Sequence, residues 1–123
     1  MEKQFSKIFS ILSDVNRLNI YSYLLYRPEG LYVCELSSIL ELPPYTISKS
    51  LKELESVDLI ESQRYGKYIL YLPIKSQNEL ILKLNSLVYD IASASNMIDK
   101  AKIDKVVNNR SQIQCQCDIK KEE

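Results

Sequence analysis

Between residues 44 and 73 the apolar pattern changes its period, and few folds accommodate that change. In PYTISKSLKELESV, Ile47, Leu51 and Leu54 fall four and three apart, the repeat of one buried face of an α-helix. In LIESQRYGKYILYLP the repeat drops to two. Ile60, Ser62 and Arg64 share one face before a Tyr65-Gly66-Lys67 turn, and Tyr68, Leu70 and Leu72 share one after it. Alternation on both sides of a glycine turn predicts a β-hairpin, which Pro73 closes.

The rest of the chain reads as helix. FSKIFSIL places Phe5, Ile8, Phe9 and Leu12 on one face. Ser13 or Asp14 can cap a second helix whose inner face is Leu18, Tyr21, Leu24 and Leu25, ended by Pro28 and Gly30. VCELSSILEL forms a short third helix with Leu36, Ile39 and Leu40 inward. After a break at LPP, Pro44 suits the first turn of the fourth helix, where its missing N–H costs nothing. With Ile47, Leu51 and Leu54 inward, Ser48, Lys49 and Lys52 point outward. Beyond the hairpin, Ser76 and Glu79 match an S-x-x-E capping box that opens one long helix ending near Asn108-Asn109. Along it Leu80, Leu84, Leu87, Ile91, Ala94 and Ile98 recur at spacings of four and three, a heptad-like seam. The expected fold class is therefore mainly α with a small β-hairpin wing (α+β), with one domain over 1–107 and a C-terminal tail over 108–123.

Composition narrows the function. There is no run of eighteen apolar residues to span a membrane, and the N-terminus is too charged for a secretory signal, so a cytoplasmic location is expected. Histidine is absent, which removes the commonest general base and the imidazole ligands of catalytic zinc. With no glycine-rich phosphate loop either, no enzyme and no organic cofactor are expected. Sixteen basic and sixteen acidic residues give zero net charge, so any nucleic-acid contact must come from positive charge gathered on one face.

Two helices joined by a short turn, the second with a polar outer face, followed by a hairpin, read as a winged helix-turn-helix. The expected partner is double-stranded operator DNA. Lys49, Lys52, Arg64 and Lys67 are the expected phosphate contacts, and Tyr45, Thr46 and Ser48 those to bases or sugar-phosphate, with Tyr65 reaching from the wing. The apolar seam from Leu80 to Ile98 predicts a homodimer, which would pair two half-sites by twofold symmetry.

ILSDVNRLNIYSYLL, GLYVCELSSILELPPYTISKSLKELESVDLIESQRYGKYILYLP and the spacing between them resemble the arsenic-repressor (ArsR/SmtB) family of metal-sensing winged-helix repressors, from about Phe5 to Pro73. The resemblance implies a homodimer, formed through the N-terminal and long C-terminal helices, that leaves its operator when inducer binds. The family's recognition positions fall on Pro44, Tyr45, Ser48, Lys49 and Ser50. Many members carry Gln at the position of Pro44 and His at that of Ser50, so the operator read here is expected to differ.

The three cysteines are Cys34, Cys115 and Cys117. An odd number in a chain with no secretory signal does not make a disulfide framework. Many family members begin the third helix with a Cys-Val-Cys metal-binding pair; here the first of those positions is Tyr32 and Cys34 alone remains. The family's long-helix zinc site uses Asp and His, and this chain has no His. Thiolates from Cys34, Cys115 and Cys117 would form a three-sulfur site suited to As(III) or Sb(III), whose lone pair fills the fourth direction. Seven residues from Asn108 to Cys115 span up to about 24 Å, enough to permit this. A cadmium, lead or zinc site, a site of Cys115 and Cys117 without Cys34, and thiol oxidation or reactive-sulfur sensing stay open as alternatives.

Overall fold

The computed structural model describes residues 1–108 and 110. Among the described residues six helices and three strands follow one another: α1 (Glu2–Leu12), α2 (Val15–Tyr26), β1 (Leu31–Tyr32), α3 (Val33–Leu40), α4 (Pro44–Ser56), β2 (Ile60–Tyr65), β3 (Tyr68–Pro73), α5 (Glu79–Ala94) and α6 (Lys100–Asn108). Their buried faces meet in one core, built around Ile8, Ile20, Tyr21, Leu24, Leu36, Ile47, Leu51, Leu54 and Leu59.

Local chemistry fixes the joints. Asp14 caps α2 by accepting from the Arg17 backbone N–H at 3.0 Å, while Arg17 Nε donates to the Ile11 carbonyl at 2.8 Å, tying the end of α1 to the start of α2. Tyr21, fully buried on α2, donates its hydroxyl to Asn85 of α5. Burial pushes this hydroxyl's pKa well above the ordinary tyrosine value, against the smaller effect of the Asn85 bond, so it stays neutral. Gly30 turns the chain into β1 at φ 111°, and a Cβ there would lie 2.8 Å from Leu70 Cγ, so only glycine fits.

The hairpin is as expected. β2 and β3 pair antiparallel from Ile60↔Pro73 to Tyr65↔Tyr68, with Gly66 at φ 63° in the first central turn position, as a II′ turn requires. The sheet has a third strand that the sequence pattern did not reveal: β1 pairs with β3 through Leu31↔Tyr71 and Tyr32↔Leu70, giving the order β1-β3-β2.

The C-terminal region departs from expectation. The predicted capping box does not open α5; Asn78 is the N-cap, its side chain accepting from the Leu80 N–H at 2.9 Å, and Ser76 instead accepts from the Asn78 N–H. The single long helix is two. Asn96 adopts the left-handed conformation at φ 52°, Met97 N–H bonds the Ala92 carbonyl and Asn96 N–H the Ser93 carbonyl, which is a Schellman stop. Asp99 then accepts from Lys102 N–H at 3.2 Å to start α6. The Tyr23 hydroxyl pins this joint, donating to the Met97 carbonyl and accepting from the Asp99 N–H. So α6 does not extend the seam: it folds back onto α3, burying Ile103 and Val106.

The seam itself is split. Ile81, Leu84, Val88 and Ala92 are the face of α5 buried in the protomer. Leu80, Leu87, Ile91 and Ala94 are exposed along a stripe roughly 90° around the helix. Leu84 is thus a core residue, not an interface residue, and Ile98 lies beyond α5, half-buried against the same core.

Candidate nucleic-acid interface

The helix-turn-helix unit is α3 and α4. Glu41 ends α3 in the left-handed conformation, the Ser37 hydroxyl donates to the Leu42 carbonyl at 2.5 Å, and Pro43 and Pro44 start α4. Because Ile47, Leu51 and Leu54 are fully buried, the opposite face of α4 is held outward. Tyr45 at the start of the helix is 77% exposed; Lys49 and Lys52 are exposed, and Thr46 and Ser48 are half-buried. Ser50 is corrected: at 6% exposure it lies on the inner face beside Leu51 and Leu54, where a small hydroxyl packs and no base edge can reach it.

The wing projects Arg64, Tyr65 and Lys67, all exposed. Its base is tied to α4 by the Ser62 hydroxyl donating to Glu55 Oε2 at 3.1 Å, and the Tyr65 hydroxyl donates to Gln63 Oε1 at 2.8 Å. Lysines on the outer face of a rigid helix and an arginine and a lysine on the adjoining hairpin form the arrangement that phosphate contacts need.

The matches with known proteins agree with this geometry. Residues 14–62, from the start of α2 into the wing, match the model of the bacterial regulatory protein, arsR family. The cadmium resistance transcriptional regulatory protein CadC of Listeria innocua is 35% identical over 82 residues, 65% of this chain and 68% of that protein. The chain belongs to the arsR family of bacterial regulatory proteins. As an arsR-family protein it is a DNA-binding transcriptional regulator and not an enzyme. Two solved structures share the fold: reduced HlyU from Vibrio cholerae, with a TM-score of 0.62 at 24% identity over 73% of this chain and 90% of that one, and a homodimeric winged helix-turn-helix domain from Mycobacterium bovis, with a TM-score of 0.58 at 25% identity over 74% and 80%.

Cys34 lies half-buried in the first turn of this arsR-family chain's α3, and it is disulfide-bonded. Cys115 and Cys117 lie outside the described residues. Among the described residues no group of three or more His, Cys, Asp or Glu side chains is placed to hold a metal, and no helix is long and apolar enough to cross a membrane.

Sequence reasoning missed the residue beside Cys34. Glu35 is fully buried, accepts the Tyr32 backbone N–H at 2.9 Å, and is held in a two-pronged ion pair by Arg110, at 3.0 Å from Nε and 2.9 Å from Nη2. The guanidinium also stands 5.0 Å from the Tyr32 ring centroid. The hydrogen bonds it donates to the Glu35 carboxylate hold the Arg110 pKa above its ordinary value, outweighing burial. Arg110 lies in the stretch assigned to the tail, and no local sequence signal marked the pair.

Proposed function

We propose that the chain is a homodimeric repressor that holds operator DNA through the outer face of α4 and the wing, and is released by a thiophilic inducer bound by Cys34, Cys115 and Cys117. It works in the cytoplasm, where the operator is. The DNA half rests on one observation: Tyr45, Lys49 and Lys52 face outward from a helix whose inner face is locked into the core. The exposed stripe of Leu80, Leu87, Ile91 and Ala94 supports the dimer, as does the homodimeric relative from Mycobacterium bovis.

The sensing half is supported by the position of Arg110. Its guanidinium is docked on Glu35, next to Cys34, and Cys115 follows five residues later, at most about 18 Å of chain. Cys34 alone does not make a site, because Glu35 is committed to Arg110 and Tyr32. Three thiolates favour As(III) or Sb(III), to which sulfur donors would supply a pyramidal set. The cadmium-resistance relatives favour Cd(II) as the rival inducer, which would want a fourth ligand. The disulfide at Cys34 favours a second reading, a thiol-oxidation switch, since the sequence holds two further thiols in Cys115 and Cys117.

Operator binding is tested by a mobility shift with a duplex carrying the promoter of its own operon, over a salt series. Lys49→Ala weakens binding and shortens the slope of log K against log salt by about 2, as loss of one phosphate contact at each of two half-sites requires. An unchanged slope removes Lys49 from the interface. Sensing is tested by adding arsenite, cadmium or an oxidant to the reduced dimer while following thiolate absorption and operator affinity. Cys115→Ser with Cys117→Ser abolishes the response and leaves operator binding intact; a full arsenite response in that variant rejects the tail cysteines.

A further inference from the structure

α6 grips α3 at both ends. At its start, Lys102 Nζ lies 3.4 Å from the Ile39 carbonyl and 3.7 Å from a Glu41 carboxylate oxygen, at the C-terminus of α3. Past its end, Arg110 closes on Glu35 in the first turn of α3. Between them Ile103 and Val106 are buried. The two helices therefore run antiparallel, and every contact of α6 just described is to the helix that packs against α4 and precedes it in the helix-turn-helix.

We infer that α6 is a splint on the reading head, and that Arg110 is a positioning residue that holds α3 in the DNA-competent geometry. Glu35 is the reason the grip is selective. It is anchored to the Tyr32 backbone on one oxygen, so a guanidinium on both oxygens fixes the path of the chain at the β1–α3 junction. Tyr32 in turn pairs with Leu70 of the wing and stands edge-on to Tyr68, so the junction connects the splint to both DNA-reading elements.

The test uses the full chain, reduced and metal-free, with Arg110→Gln and Arg110→Lys, each also placed in a Cys34→Ser, Cys115→Ser, Cys117→Ser background. Arg110→Gln raises amide exchange over Val33–Leu40 and lowers operator affinity roughly tenfold in both backgrounds, with the dimer and the salt slope unchanged. Arg110→Lys restores part of the affinity, because it keeps the charge and loses the fork. Unchanged operator affinity and exchange in Arg110→Gln overturn the splint. If Arg110→Gln does not fold, Glu35→Gln with Arg110→Met removes both charges and keeps the packing; the same affinity loss is expected, and wild-type affinity there overturns the splint.

Discussion

Leu87→Glu combined with Ile91→Glu makes the protein monomeric at micromolar concentration and lowers operator affinity at least a hundredfold. Both side chains are largely in solvent, at 56% and 46% exposure, on a helix whose other face is committed to the core. Two carboxylates there leave the protomer's packing untouched, so far-ultraviolet circular dichroism keeps its helical content. Facing their own copies across a twofold axis, however, they bring four negative charges into an apolar contact that can pair none of them. Loss of the dimer turns two-site binding into one-site binding, which forfeits an avidity on the order of 10² or more. Sedimentation equilibrium and a mobility shift on the same samples check this. A double-Glu protein that still sediments as a dimer places the interface elsewhere. Leu84→Glu is the control with the opposite outcome: Leu84 belongs to the buried face, so a charge there unfolds the protomer.

Leu51→Ala lowers stability by about 3 kcal/mol, within the range for truncating a fully buried leucine. At about 4 °C per kcal/mol for a domain of this size, the thermal midpoint falls by roughly 12 °C. The site cannot collapse to fill the space, because Ile47 and Leu54 flank Leu51 on the same helix and are themselves fully buried. Lys52→Ala, one residue away and on the outer face, leaves the midpoint within about 2 °C and acts on DNA affinity instead. The pair separates fold from reading surface on one helix. The melts must be run at one protomer concentration, since dimerisation contributes to the midpoint. A Leu51→Ala midpoint within 2 °C of the parent would show that α4 is not locked as described.

The recognition helix and the wing were legible because their periods are short-range properties of the chain. Ile47, Leu51 and Leu54 set the helix face, and Gly66 set the hairpin turn, with no need of distant partners. Helix α5 was misread for a definite reason: Ile98 continues the four-three spacing through a segment where Asn96 has already stopped the helix, so spacing persists where structure does not. The same spacing rule could not divide the seam between core and surface, since Leu84 and Leu87 are equally apolar and only packing against α2 separates them. Ser50 was misplaced by family analogy, although its own position beside Leu51 and three residues after Ile47 already put it on the inner side. β1 is two residues long, too short for any alternation to register. The Glu35–Arg110 pair joins residues 75 apart, and no local pattern announces such a partner.

That pair has a practical corollary for anyone shortening the protein. A truncation after residue 107, which the sequence invites, would discard a seemingly dispensable end and strand a carboxylate in the interior without its counter-ion, a lesion on the order of 3 kcal/mol. A shortened chain that keeps this counter-ion runs at least through Arg110.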